Sequence, residues 1–367
     1  MDKNWFILFC ILCAIGLFFD VVNIGVYITD KKDKNAHVSG VPFIGAVFFC
    51  AALLTLKVTR PFFILGIFAD VTVYSIPWLI AYNLKAYKYR NRFRIVVLTE
   101  NTVPDEESGL KSEHGLSLYI EQGAHTFLLD AGQSEVFAEN AEKLKVDLTK
   151  VEAAILSHGH YDHADGFDKF LSLNKKAKLY MRREVGEQCF SERPEGITYI
   201  GPKKGMLEEY KKRIEKIDGK FYPLLSWSAV LIPHTSENLE AIGEKTKLFK
   251  ETEGKMQPDD FNHEQTLIMF TPKGIVICNS CSHAGVKNII KEARDYLCRD
   301  DEIYAYIGGF HLMKADDEEV RSFAKELKNA NVKRFITGHC TGERAIEILR
   351  EELGDCVEEM HVGTVIE

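Results

Sequence analysis

Four side chains of the metal-ligand type, His158, His160, Asp162 and His163, fall within six residues, directly after the apolar run Val151 to Leu156. The run reads as a buried strand, and a hydrated surface loop has no reason to follow one. Function concentrates in loops at strand ends, so Ser157-His158-Gly159-His160-Tyr161-Asp162-His163 is expected to be a metal-binding turn leading into a helix. Imidazole and carboxylate suit zinc first, with iron or manganese as alternatives. His158 and His160, two residues apart, can point at one cation. Asp162 and His163, at the following helix start, can point at a second. Two cations a few Å apart can activate a water held between them.

The chain around this segment is uneven in charge. Residues 1 to 94 carry 11 Lys and Arg against 5 Asp, a balance of +6, so the whole-chain value of −8 leaves −14 for residues 95 to 367. So acidic a segment repels phosphate backbones and argues against nucleic acid as a partner. Three apolar stretches open the chain: Trp5 to Ile28, Val41 to Leu56 and Pro61 to Leu84. A membrane span needs about 20 apolar residues. The first and third stretches meet that length, and the second is short enough to pair with the third as a hairpin through Lys57-Val58-Thr59-Arg60. Two or three transmembrane helices are therefore expected in residues 1–93, with a catalytic domain in 94–367. Lys31, Lys32, Lys34, Lys85, Lys88, Arg90, Arg92 and Arg94 fall on one side of such an arrangement. The positive-inside rule then predicts a multi-pass protein of the cell membrane with a cytoplasmic catalytic domain. Asp20 and Asp70 lie inside these stretches. They are read either as functional groups or as partners facing each other in a small bundle. Nine cysteines without a framework spacing fit a reducing compartment.

Within 94–367, strands are expected at Arg94 to Leu98, Leu116 to Glu121, Thr126 to Asp130, Lys178 to Met181, Thr198 to Ile200 and Ala229 to Ile232. A second hairpin, Thr266 to Phe270 and Ile275 to Cys278, leads into three strand–helix steps and a closing strand at Met360 to Ile366. A Lys/Arg-rich helix is expected at Lys203 to Lys216. Ser236 to Asn262 reads as a long polar segment, either a lid or a surface insertion. Two similar halves, each a hairpin followed by strand–helix units, predict an α+β sandwich of two sheets with helices outside.

The hallmark His-x-His-x-Asp-His, in this order with Leu128-Leu129-Asp130-Ala131-Gly132 and Thr337-Gly338-His339-Cys340-Thr341-Gly342, resembles the metallo-β-lactamase superfamily over about residues 94 to 367. The resemblance implies the αββα sandwich with one or two divalent metal ions at one edge of the sheets. It implies that Asp130 braces the metal loop and that His339 is the last metal histidine. With later histidines needed to complete two shells, His283 is assigned to the first metal beside His158 and His160. His339 is assigned to the second beside Asp162 and His163. A typical member carries a bridging Asp after the second hairpin, where this chain has Cys281-Ser282-His283.

His311, in Gly308-Gly309-Phe310-His311-Leu312, is read as a catalytic proton-transfer or substrate-facing group working with Asp162, with ligation second. His114, His263 and Glu264 are read as further pocket or supporting groups, and Cys281 and Cys340 as neighbours of the ligands. Glu113-His114-Gly115-Leu116-Ser117, Cys281-Ser282-His283-Ala284-Gly285 and the other motifs together resemble one branch, the 7,8-dihydropterin-6-yl-methyl-4-(β-D-ribofuranosyl)aminobenzene 5′-phosphate synthases. Three functions follow in order: a metallo-hydrolase acting on a small molecule, a transferase of that synthase kind, and a metal-site sensor without turnover.

Overall fold

The computed structural model describes residues 3–32, 43–225, 227–298 and 302–367, which divide into two compact units, Met1–Lys88 and Tyr89–Glu367. In the first unit a 30-residue helix, Lys3–Lys32, is followed by the helix Ile44–Thr55. Val41 and Pro42, at the start of the second apolar stretch, lie outside the described residues. The third stretch is not one continuous helix. It forms a 3-10 helix at Arg60–Ala69, a second at Val71–Ser75, and an α-helix at Ile76–Tyr89. The break falls at Asp70. Its backbone is extended and its carboxylate accepts hydrogen bonds from Thr72 N and Ala46 N, both at 2.7 Å. Asp20 Oδ1 accepts from Val71 N at 3.2 Å. The two acids thus satisfy backbone donors at the same break, the way a cap ends a helix. Among the described residues one helix, over Lys3–Tyr27, is long and apolar enough to cross a membrane, in place of the two or three expected.

The second unit is built on two seven-stranded sheets. In spatial order the first contains Val365–Ile366, Phe93–Thr99, Ser117–Gln122, His125–Leu129, Ala153–Ile155, Lys178–Arg182 and Ile214–Ile217. The second contains Val357–Glu359, Phe335–Thr337, Ile303–Ile307, Gly274–Cys278, Gln265–Thr271, Ala229–Pro233 and Tyr222–Leu224. In each, antiparallel pairing gives way to parallel pairing after a hairpin: His125–Leu129 against Ala153–Ile155 in the first, Gly274–Cys278 against Ile303–Ile307 in the second.

Alternation along the strands sorts side chains into three cores. Ile95 and Val97 join Leu231, Leu267 and Val276 between the sheets. Val96 and Leu98 face the other way, onto Phe137, Phe167 and Phe170 of the outer helices. On the far side Ile277, Tyr306 and Phe335 pack under Ile289, Ala324 and Ile348. Helix, sheet, sheet and helix layers result.

Three expectations are corrected. The Ser236 to Asn262 segment is structured, with a helix at Leu239–Thr246 and strands at Leu248–Thr252 and Lys255–Pro258. Those strands join Cys189–Arg193 and Gly196–Tyr199 in a separate four-stranded sheet. Their polar side chains carry no two-sided burial signal, because such a small sheet buries only one face. The helix expected at Lys203 to Lys216 shrinks to one turn, Met206–Glu209, followed by the strand Ile214–Ile217. The closing strand is two short pieces, Val357–Glu359 and Val365–Ile366, one in each large sheet.

His158, His283, His311 and His339 all follow the carboxyl ends of strands, so one rim of the sandwich collects them. At that rim the backbone is tightly nested. Gly308 has φ +140°, and a Cβ there would sit 1.8 Å from the Asn279 carbonyl oxygen. The glycine admits backbone, not substrate. Gly308→Ala is expected to cost at least about 1–3 kcal/mol through strain and displacement of the Asn279 turn. A fall in the thermal unfolding midpoint without loss of the folded baseline checks this.

Candidate metal centre

The site is assembled from imidazoles whose inward nitrogens converge, and in His158, His163 and His339 the outward nitrogen is hydrogen-bonded. Asp130 occupies the left-handed region at φ 57° and its carboxylate is wholly buried. Oδ1 accepts from Ser157 N at 2.7 Å, and Oδ2 accepts from Ser157 Oγ at 2.6 Å and faces His163 Nδ1 at 2.8 Å. One acid therefore fixes the start of the metal loop and the orientation of His163, the pattern that supports metal-bound histidines. His158 Nδ1 lies 2.8 Å from Ser157 Oγ, and His339 Nδ1 lies 2.9 Å from Asn101 Oδ1. With Nδ1 engaged in each case, the Nε2 atoms point into the centre.

His158 Nε2 lies 3.3 Å from His283 Nε2, and these rings with His160 form one donor group. His163 Nε2 lies 3.3 Å from His339 Nε2, while Asp162 Oδ2 lies 3.7 Å from the first and 3.5 Å from the second. Two nitrogens bound to one tetrahedral cation at about 2.0–2.1 Å stand roughly 3.3 Å apart, so each set has the spacing a cation requires. The structure thus gathers the six side chains named as ligands at one rim, where His158 also shares a donor group with His163 and Cys281, and His114 shares one with Asp162 and His339. Buried His160 Nε2, His283 Nδ1 and His311 Nδ1 have no hydrogen-bond partner among the described residues. Unpaired buried ring nitrogens are costly, and a cation would relieve those that reach it.

Electrostatics divides the cluster. Burial, then the neighbouring histidines, holds His158 and His283 well below the ordinary range, and His160 is pushed down to about 3. These rings are neutral at pH 7 and keep a lone pair for a ligand. Burial also acts to lower His163, but the charges of Asp162 and Asp130 outweigh it and raise the ring to about 9. Burial acts to raise Asp162, yet His163, His114 and His339 hold it well below the carboxylate range. The two acids favour positive charge in that half of the site.

The centre opens into a cavity of about 790 Å³. His114 and His311 line it. His114 is half exposed and its Nε2 is 3.2 Å from Asp162 Oδ2. His311 has φ 54° and its ring centroid is 4.5 Å from that of His283. Arg193, Lys314, Ile200 and Leu312 extend the wall. His263 and Glu264 are not among the lining residues. His263 accepts from Gly159 N at 3.0 Å through Nδ1 and faces Asp259 Oδ2 at 3.0 Å through Nε2, bracing the metal loop from behind. Glu264 accepts from the backbone N–H groups of His283 and Ala284, both at 3.0 Å.

Several supporting residues escaped the sequence reading. Glu100 accepts from His339 N, and Asn101 orients its ring. His234 lies wholly inside, with Nε2 2.7 Å from Glu264 Oε2 and Nδ1 2.8 Å from Glu292 Oε2. His234 ends a strand, as the ligand histidines do, and that was the available signal.

The Lactamase_B model, described as the metallo-beta-lactamase superfamily, matches residues 112–237. A curated relative from Methanocaldococcus jannaschii, the 7,8-dihydropterin-6-methyl-4-(beta-D-ribofuranosyl)-aminobenzene-5′-phosphate synthase, is 31% identical over 269 residues, covering 70% of this chain and 90% of its own. An uncharacterised protein of the same organism is 28% identical and is covered over 99% of its length. Among solved structures Tm1679, titled a metal-dependent hydrolase of the beta-lactamase superfamily, superposes with a TM-score of 0.64 at 30% identity, covering 75% of this chain and 99% of that one. The chain belongs to the metallo-β-lactamase superfamily. Within it, the chain resembles the dihydropterin–ribofuranosyl-aminobenzene phosphate synthase branch.

The His234 pair has a pH signature. Burial opposes its charge, but Glu264 and Glu292 outweigh burial and raise it to about 9 from 6.5. The folded state therefore holds a proton that the unfolded chain releases above about pH 6.5. Its stabilising contribution, on the order of 3 kcal/mol, is complete below that pH and is lost as pH rises through about 9. Denaturant unfolding between those pH values should show a shallower decline in His234→Gln than in the wild type; parallel slopes would refute the assignment.

Proposed function

We propose that the Tyr89–Glu367 unit is a metal-dependent hydrolase acting on a small-molecule substrate. One observation carries this reading: two triads of inward-facing donors, His158, His160 and His283 beside Asp162, His163 and His339, share one buried rim at the mouth of a cavity. The bound metal, zinc first and iron or manganese next, would lower the pKa of water toward about 7 and polarise an electrophilic centre. The chain's own residues do the rest. Asp130 and His263 hold the loop, and Asp162 takes its place between His114, His163 and His339. His311, with an unpaired Nδ1 at the cavity wall, exchanges a proton with the departing group. Burial of the rings excludes bulk water from all but the cavity side.

A second reading is favoured by a specific observation, the 31% identity to a named synthase over 90% of its length. In that reading the same donors assist departure of a pterin-bound leaving group, and an aminobenzene ribose phosphate replaces water as the acceptor. Parallel assays separate the two: phosphodiester, ester and lactone panels against a dihydropterin pyrophosphate with the aminobenzene acceptor. Ligand-induced change without turnover in every assay would favour a sensor instead.

We further propose that Met1–Lys88 is a membrane anchor with the catalytic unit on the cytoplasmic side. The helix over Lys3–Tyr27 has the length and hydropathy of a span. Leu17, Phe18 and Val21 are each more than half exposed, an apolar surface suited to lipid. The shorter apolar helices Ile44–Thr55 and Arg60–Ala69 would enter the bilayer as a hairpin and return to the same face.

Elemental analysis of the purified full-length protein tests the centre. His158→Ala and His283→Ala are each expected to lower bound metal and to reduce turnover by at least about a hundredfold. Unchanged metal content in both variants would overturn the ligand set.

A further inference from the structure

The sandwich has a second end, opposite the metal rim. Gln265–Thr271 is a seven-residue strand that runs from one end to the other. At the rim Gln265 N donates to Ser157 O at 2.8 Å. About 20 Å away, at roughly 3.4 Å per residue, the Phe270 carbonyl accepts from Gln122 Nε2. Gln122 pairs in register with Phe93, so the first strand of the unit begins at this far end, and the chain enters it from Arg90 and Arg92.

Among the described residues of the Tyr89–Glu367 unit, three aromatic side chains are strongly exposed: Trp227 at 48%, Phe221 at 45% and Phe270 at 38%. Trp227 lies in the turn that joins Tyr222–Leu224 to Ala229–Pro233. Ala229 pairs with Met269, so that turn stands level with Phe270 at the far end. The Phe221 ring packs 6.1 Å from that of Trp227 and 5.3 Å from that of Tyr296. Two lysines stand at the same end. The ammonium groups of Lys273, in the turn after Phe270, and of Lys333 lie 5.7 and 5.9 Å from the centre of the Tyr304 ring. Arg92 and Arg334, also at this end, are taken up by Glu121 and Glu358. A single exposed apolar residue means little, but exposed rings gathered where the chain enters, beside lysines, form a patch of the kind that marks an interaction surface. Tryptophan sits with its ring at the level of lipid headgroups, and lysine beside it meets their negative charge.

We infer that the end of the sandwich opposite the metal rim is a lipid-docking surface. Trp227 and Phe270, with Phe221 beside Trp227, enter the headgroup layer of an anionic bilayer, and Lys273 and Lys333 meet its phosphates. The inference rests on reading Met1–Lys88 as a membrane anchor, which keeps this surface close to lipid whatever its own affinity. It also deepens the reading of the site. With the far end on the membrane, the cavity faces water at the opposite end of the strands. The substrate class is then a water-soluble molecule arriving from solution, not a lipid drawn from the bilayer.

The test uses full-length protein in nanodiscs of phosphatidylglycerol and phosphatidylcholine, with discs of phosphatidylcholine alone as the reference. Hydroxyl-radical labelling, read by peptide mass spectrometry, should fall for Trp227 and Phe270 in the anionic discs. Met313, exposed on the cavity wall, should be labelled equally in both. This arm needs no variant. Trp5→Phe with Trp78→Phe leaves Trp227 as the one tryptophan of the chain. Bromine on the lipid acyl chains should then quench its emission in anionic discs. Adding Lys273→Glu and Lys333→Glu should restore the emission with the unfolding midpoint unchanged. Equal labelling of Trp227 in the two kinds of disc, or emission that bromine leaves unquenched, in protein held by the discs, would overturn the docking surface and leave the anchor reading intact. Protection of Met313 in anionic discs would overturn the orientation and the soluble substrate with it. Protein that stays in solution without entering either disc would overturn the anchor and this inference together. Full quenching that survives the charge reversal would remove the two lysines from the surface.

Discussion

Crowding several imidazoles and a carboxylate into one buried rim is electrostatically expensive, and the structure depends on how that expense is met. Each ring pays desolvation on entering the interior. His158, His160 and His283 meet it by remaining neutral. His163 meets it by facing two acids, Asp130 and Asp162. The outward nitrogens of His158, His163 and His339 are tied to Ser157, Asp130 and Asn101, so the inward nitrogens have a fixed direction. A site prepared in this way would take a cation without rearranging its protein partners.

The two-sheet architecture serves this one requirement. Four parallel strands end at the same rim, and their ends bring donors separated by up to 181 positions, His158 to His339, into contact through their neighbours. The loops between are held by buried polar groups, not by packing alone. Glu264, His234 and Glu292 form a chain from the His283 loop to the helix Val286–Leu297. Asp259, His263 and Gly159 form another behind the first loop. Left-handed backbone at Asp130, Ser282, His311 and His339 marks the same rim, strain that the surrounding network holds in place. The four-stranded sheet and the helix Leu239–Thr246 supply part of the cavity wall, including Arg193 and Leu248. The element of the fold that departs most from the expected pattern therefore borders the cavity.

Much of this was legible in the chain itself. Short-range patterns carried the hairpins, the strand–helix alternation and the His-x-His-x-Asp-His turn, because burial of alternate residues and the demands of a metal ligand are both written locally. Residues whose role depends on a distant partner were not legible. Cys281 read as a gap where a bridging acid is usual, and only its position against His163 shows what the thiol touches. His234, just after the strand Ala229–Pro233, was given no role in the sequence, and only the contacts with Glu264 and Glu292 show one. Asp20 and Asp70 could be charged outliers or partners, and the break in the third apolar stretch shows them satisfying backbone donors.

What the sequence determined alone was the chemistry on offer: imidazoles, one aspartate and thiols placed at strand ends, behind an apolar N-terminal segment and within an acidic domain. Tertiary structure decided which nitrogens face inward, which carboxylates brace and which line the cavity, and where the polar segment 236–262 folds. The physical reason is range. Periodicity and turn chemistry act over a few residues, whereas a ring's tautomer, charge and direction are set by whichever buried group meets it across the fold.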